Sequence, residues 1–355
     1  MSMKKKYVLM LGIVLCACTK DEVAQVNSAD AAANNLEVGN VVKNTNALTG
    51  KVGAASIAGL NWADGRDNFV DGWVIPSGLT SADSYATVVA KTDAILNGFT
   101  SKITGVNTIR IPINPPSVAE SWWASYQGVI DKATSKGYKV IIACWESASS
   151  KDGVIDNTTA FWTMWNTVVT KYQGNANVYF EPFNEPHGYT LAQLTTIYAQ
   201  FLSNYPNVPR ARIILGGTGY SETVTGVGAD SRFSSCLLGL HNYAYWATRS
   251  VTQWRADWRT RIGSYGSRTV ITEFGATMNS GKDYQNGSQT DNEIAYIVAT
   301  SDVCRTDGIA SVYWPGLRDG DSYSLFTRGG SGNNITINTV STSGVFRIRY
   351  GWGEN

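Results

Sequence analysis

Short apolar, β-branched runs alternate along this chain with longer segments whose apolar residues recur at helical spacing. The strand-like runs are SIAGLNW (56–62), TIRIPI (108–113), KVIIACW (139–145), VYFEPFNE (178–185), RIILGG (212–217), LLGLHNY (237–243), TVITEFG (269–275) and ASVYWPG (310–316). Helical patterns cover Ser121 to Lys136, Phe161 to Tyr172, Leu191 to Leu202, Val251 to Ile262 and Glu293 to Cys304. The first of these stops at Gly137, a residue suited to the position after a helix end. Eight strand runs separated by helical segments predict a (β/α)8 TIM barrel. The competing architecture is a doubly wound open sheet, which carries a Gly-rich phosphate loop after its first strand. Here the first run leads into NWADGRDNF instead.

A barrel of this kind places its active site at the C-terminal ends of its strands. Trp62, Arg110, Trp145, Asn184, Glu185, His241, Tyr243, Glu273 and Trp314 all fall in or at the ends of the predicted strands. Two of them are carboxylates on separate strands, Glu185 in the fourth run and Glu273 in the seventh. Two carboxylates facing each other across a sugar are the minimum chemistry for cutting a glycosidic bond. Glu181, Phe183 and Glu185 share parity, so an unbroken strand points all three to one face. Acids on the inner face of an apolar strand are costly unless paired or used, and a buried carboxyl with a raised pKa suits a general acid. For one such glutamate alone, a solvated loop residue or half of a salt bridge is the ordinary reading. The convergence from separate strands favours the catalytic one.

Composition narrows the partners. The 355 residues carry a net charge of +1, and only 16% are charged, which gives no footprint for a nucleic-acid backbone. No zinc-finger spacing, Walker-type loop or G-x-S-x-G elbow is present, and the two histidines, His187 and His241, give no usual metal-ligand spacing. No metal and no cofactor is expected, and the chain is expected to act as a monomer. The 12 Trp and 18 Tyr are many, and several lie in polar, Gly-rich segments where their rings suit the flat apolar faces of pyranoses.

The ends and cysteines suggest a compartment. Lys4, Lys5 and Lys6 precede a short apolar stretch, Tyr7 to Leu15, which reads as a secretory signal. LCAC, Leu15 to Cys18, resembles a bacterial lipobox in which Cys18 is lipidated. The following Thr19-Lys20-Asp21-Glu22 resembles the acidic export tag of surface lipoproteins in the Bacteroidota. The expected organisation is therefore a signal peptide (1–18), a flexible tether (19–47) and a catalytic domain (48–355), anchored to the outer membrane through lipid and exposed at the cell surface. Cys144, Cys236 and Cys304 remain in the domain, and no disulfide is assigned among them.

FNEP at 183–186, HNY at 241–243 and TEFG at 272–275, in that order, resemble the cellulase-like enzymes of glycoside hydrolase family 5. The resemblance spans about residues 50–320. It implies a retaining enzyme with Glu185 as acid/base and Glu273 as nucleophile. It implies that Asn184 bonds the sugar 2-hydroxyl, that Arg110 and Tyr243 attend the nucleophile, that His241 lines a subsite and that Trp314 is a sugar platform. Many members carry a histidine at the end of strand three, where this chain has Ala143-Cys144-Trp145-Glu146. Trp145 is then either a stacking surface or a barrel cap, and His187 lines a positive subsite or makes a loop hydrogen bond. Arg110 pairs with Glu273, or alternatively with Glu181. The expected activity is an endo-β-1,4-glucanase. An exo-acting glycosidase of the same clan, walled by DGRDNFVDGW or RDGDSYSLFTRGG, and a non-catalytic glycan-binding lipoprotein are the alternatives.

Overall fold

Alternation along a single strand shows how the chain sorts its side chains. In β2 (Thr108–Ile113), Ile109, Ile111 and Ile113 face outward into the main apolar cluster beneath the helices. Thr108, Arg110 and Pro112 therefore face inward. The structure, a computed structural model, describes residues 56–355. The signal segment, Cys18, the tether and residues 48–55 of the expected domain lie outside the described residues.

Seven further parallel strands follow the same logic: β1 (Ala58–Trp62), β3 (Lys139–Cys144), β4 (Val178–Glu181), β5 (Ile214–Gly216), β6 (Leu237–His241), β7 (Thr269–Glu273) and β8 (Ala310–Leu317). Their order is β4-β3-β2-β1-β8-β7-β6-β5, and a Phe180–Ile213 parallel bridge joins β4 to the approach of β5. The strands form a nearly closed ring with helices between them, the expected (β/α)8 barrel. Inside it, Ile57, Ile141, Ile214, Leu237, Val270, Ala310 and Val312 make a separate apolar cluster. That packed plug leaves the polar inward positions to collect toward the strands' C-terminal ends.

Several helix bounds follow from capping chemistry. Ser250 and Gln253 form a reciprocal capping box that starts Val251–Ile262, and Thr190 with Gln193 does the same for Leu191–Asn204. Gly137, past the end of Trp122–Ser135, has φ of 82°, as its position after the helix requires.

The structure differs from the sequence expectation at three places along the chain. The fourth strand ends at Glu181 rather than at residue 185, because Pro182 has no N–H to continue the ladder. The helix Tyr85–Lys102 fills the first crossover, for which the sequence reading predicts no helix. After β8 the chain forms a hairpin, β9 (Phe326–Ser331) and β10 (Asn334–Thr339), where a loop was expected, and a last helix, Thr342–Trp352, follows it. The hairpin packs on the first helix, where Gly98 leaves room for Ile337. Cys144, Cys236 and Cys304 are all buried, and no disulfide joins them.

Candidate active site

The site is organised around Arg110, which is 1% exposed. Strand register sets its neighbours: Asn61 of β1 is its direct partner across the sheet. A guanidinium has five N–H donors, and five hydrogen bonds use them here. Nε and Nη2 grip Glu181 at 2.6 and 2.9 Å, and Nη2 also reaches Asn184 Oδ1 at 2.7 Å. Nη1 donates to Asn61 Oδ1 at 3.0 Å and to Glu273 Oε1 at 2.5 Å. The choice between Glu181 and Glu273 as partner is thus no choice: the planar fork binds both. Burial works against the charge, but Glu181 and Glu273 outweigh it and hold the guanidinium protonated.

Glu273 ends β7, whose register gains a residue near its tip: Leu240 pairs with Ile271, but His241 pairs with Glu273. This irregularity brings the histidine and the carboxylate side by side. Besides Arg110, Glu273 accepts the Tyr243 hydroxyl at Oε2, 2.8 Å away. Burial pushes its carboxyl above the ordinary value, opposed by His241 and Arg110. Burial also raises the Tyr243 hydroxyl well above a free tyrosine, so at neutral pH it is a donor.

Glu185 stands opposite. His241 Nδ1 lies 2.9 Å from Glu185 Oε1 and 3.6 Å from Glu273 Oε2. Burial pulls the imidazole down to about 4, so it is neutral at pH 7. Its Nε2 meets the Thr272 hydroxyl at 3.0 Å. When Glu185 is ionised, Nδ1 donates to it and Nε2 accepts from Thr272; when Glu185 is protonated, the roles reverse. Glu185 has no guanidinium contact, and burial pushes its carboxyl up to about 7, with Arg110 and His187 opposing. One oxygen of Glu185, one of Glu273 and one nitrogen of His241 all lie within 4.8 Å of one another. Such a trio could ligate a cation, but Arg110 already supplies the positive charge beside Glu273.

The remaining predicted residues take definite places. Asn184 spends its side-chain oxygen on Arg110, which leaves its amide Nδ2 as the donor for a hydroxyl. Trp145 is 2% exposed; its ring lies under the Arg110 guanidinium at 4.6 Å and stacks on Trp314 at 6.1 Å. It is therefore a packing partner of Arg110 and Trp314 rather than an open platform. Trp314 is only partly buried, so part of its ring stays accessible beside the carboxylates. His187 Nδ1 bonds the backbone carbonyl of Glu185 at 3.0 Å, and its ring stacks on Tyr220 at 4.0 Å. Glu185 itself lies four residues beyond the end of β4, so strand parity does not aim it.

Sequence reasoning missed several residues. Asn61 and Thr272 hold Arg110 and His241, and a polar side chain inside each apolar run was the available signal. Tyr220, Tyr245 and Trp246, 40%, 62% and 59% exposed, form an aromatic edge next to Glu185. With Glu222, His241, Asn242 and Tyr243 they line a cavity of about 190 Å³. Their loops follow β5 and β6, and nothing in the local sequence tied them to Glu185.

A family model described as cellulase (glycosyl hydrolase family 5) matches residues 85–316. No curated protein sequence matches the chain. Among solved structures, the catalytic domain of the major endoglucanase from Xanthomonas campestris pv. campestris is similar, with a TM-score of 0.62 at 14% identity over 86% of this chain and 96% of that one. A complex of an endocellulase from Pyrococcus horikoshii with cellotetraose gives 0.59 at 16% identity, over 82% and 92%. A thermostable, halotolerant cellulase from an Icelandic hot spring isolate gives 0.54 at 14%, over 86% and 98%. At these identities the likeness establishes the fold.

Proposed function

The chain belongs to glycosyl hydrolase family 5, and from that premise we propose that it is an endo-β-1,4-glucanase working by double displacement, with Glu273 as nucleophile and Glu185 as acid/base. The observation that carries this reading is the spacing of the two carboxylates. Their nearest oxygens lie within 4.8 Å. Retaining enzymes hold the pair about 5–5.5 Å apart, whereas inverting enzymes leave about 6.5–9.5 Å for a water.

The environments of the two carboxylates divide the labour. Glu273, held by Arg110 and the Tyr243 hydroxyl, is the better ionised of the two and attacks the anomeric carbon. Glu185, up at about 7, gives its proton to the leaving oxygen as the glycosidic bond breaks. The product is a glycosyl ester on Glu273. Glu185, now ionised, takes a proton from water as that water attacks the ester carbon and frees Glu273. The aromatic edge of Tyr220, Tyr245 and Trp246 lies on the Glu185 side and suits the leaving sugar.

Two experiments test this. Glu273→Ala should abolish activity on every substrate. Glu185→Ala should keep the first step with aryl glycosides of good leaving ability, and azide should restore its turnover. Identical behaviour of the two variants would sink the role assignment. Product ladders from β-1,4-glucan that shorten progressively support endo cleavage; release of only monomer or dimer would indicate an exo enzyme.

A further inference from the structure

Because β4 ends at Glu181, no strand ladder holds the backbone at Glu185. Something else must fix it, since an acid that swings is a poor proton donor. The loop after β5 supplies the candidate. Ser221 has φ of 56°, in the left-handed region that residues other than glycine rarely adopt, and it is fully buried. Gly219, two residues earlier, has φ of 64°, and a Thr218–Thr223 antiparallel bridge closes the turn. The Arg261 guanidinium donates to the Glu222 carbonyl at 2.9 Å and anchors its far side. The tight reversal sends two adjacent side chains opposite ways, Ser221 inward and Tyr220 outward.

Both reach the segment that carries Glu185. Ser221 Oγ donates to the Asn184 carbonyl at 2.8 Å. Gly216 makes room for that hydroxyl, because a Cβ there would lie 2.7 Å from it. Tyr220 lies flat on His187, 4.0 Å between ring centres at 19°. His187 in turn donates from Nδ1, at 3.0 Å, and from its amide, at 2.8 Å, to the Glu185 carbonyl. The Asn184 carbonyl belongs to the peptide plane before the Glu185 Cα, and the Glu185 carbonyl to the plane after it. Two planes held on either side of one Cα fix both of its backbone dihedrals.

We infer that Tyr220 and Ser221 are positioning residues that clamp the two peptide planes around Glu185 and thereby aim its carboxyl at the leaving-group oxygen. This rests on the reading of Glu185 as acid/base. It also accounts for a strained serine where glycine would sit without strain: glycine has no hydroxyl to give Asn184.

The test uses the full-length enzyme and substrates of two leaving-group classes. Ser221→Gly relieves the φ strain but deletes the hydroxyl, so its melting temperature should hold or rise. Its kcat/KM on cello-oligosaccharides should fall about 10- to 100-fold, a part of what a general acid contributes, while kcat/KM for aryl glycosides with good leaving groups, which reports the first step alone, is nearly unaffected. Tyr220→Ala, read on aryl glycosides, which carry no leaving sugar for its ring to hold, should lose kcat/KM only with poor leaving groups, and Tyr220→Phe, which keeps the stacked ring, should restore it. Tyr220 is partly exposed, so this pair carries the test even if the Ser221 variant misfolds. Equal loss on both substrate classes, no loss on either, or an effect confined to KM would overturn the clamp. Glu185→Ala, run alongside, separates the layers. If it too lacks the leaving-group dependence, the acid/base assignment has failed; if it alone shows the dependence, the clamp has failed.

Discussion

At the scale of single residues, the site is a buried charge network whose parts cannot be removed one at a time. Arg110 pairs with both Glu181 and Glu273 with no exposed atoms of its own side chain. Arg110→Ala should leave two buried carboxylates facing each other and cost roughly 3–5 kcal/mol of stability. It should also move the acidic limb of the pH–rate profile upward, because Glu273 loses its counter-charge. Arg110→Lys should rescue little, since one ammonium cannot replace a five-donor fork. A thermal melt and a pH–rate profile on each variant check this; loss of stability with an unmoved acidic limb would reduce Arg110 to a structural role.

Glu185 gives a second prediction at this scale, with its sign set by burial. Its folded pKa, about 7, lies above its ordinary value, so the folded state favours the protonated form. That contribution is fully present below the unfolded pKa and is lost as pH rises through about 7. Wild type should therefore be less stable at pH 8 than at pH 5 from this group. Glu185→Gln, which cannot ionise, should raise the melting temperature by roughly 2–5 °C at pH 8 and little at pH 4. The same proton sets activity: the alkaline limb of the wild-type profile should fall near pH 7. An equal gain at both pH values would mean that charge at Glu185 is not the cause.

At the scale of elements, close approaches rather than propensities decide what is tolerated. Gly98 sits inside the helix Tyr85–Lys102, where alanine is the better helix former by about 1 kcal/mol. A Cβ there would lie 2.2 Å from Ile337 of β10. Gly98→Ala should therefore destabilise by about 1–3 kcal/mol, as overpacking does, and not stabilise. Gly275, two residues past Glu273, is tighter still: its Cβ would lie 2.1 Å from the Trp314 carbonyl, which is backbone and cannot yield alone. Gly275→Ala should part the tips of β7 and β8 and lower kcat by roughly tenfold or more, because Glu273 shifts against the Trp314 ring. Denaturant melts and steady-state kinetics measure the two effects. A Gly98→Ala variant more stable than wild type would show that the hairpin yields easily.

At the scale of the whole molecule, the barrel provides the site and the segment before it is proposed to provide the address. The LCAC stretch motivates a lipid anchor at Cys18, outside the described residues. Each buried methylene of an acyl chain contributes about 0.8 kcal/mol, so a multiply acylated cysteine keeps a protein on the membrane. Cys18→Ser should move the enzyme out of the membrane fraction or leave it unprocessed; unchanged fractionation would count against the anchor. Protection of the wild type from protease on intact cells would count against surface exposure.

The sequence alone determined the barrel and most of the residues that converge on its upper face. Periodicity is a local property, and eight strand-like runs, most of them separated by segments of helical spacing, admit few folds. Arg110, His241 and Glu273 were legible because each sits within or at the end of a strand, where local pattern and position in the fold coincide. Tertiary structure alone decided three things. It decided that Arg110 serves Glu181 and Glu273 together, since partners are chosen by register between strands 71 and 163 residues away. It decided where Glu185 points, since the strand that would have fixed its parity stops at Glu181. And it brought Tyr220 and Ser221 against the segment that carries Glu185, from a loop whose turn lets a serine adopt a conformation that sequence pattern does not encode. Local order follows from neighbours along the chain; the aim of a side chain that no strand or helix holds follows from whatever the fold brings against it.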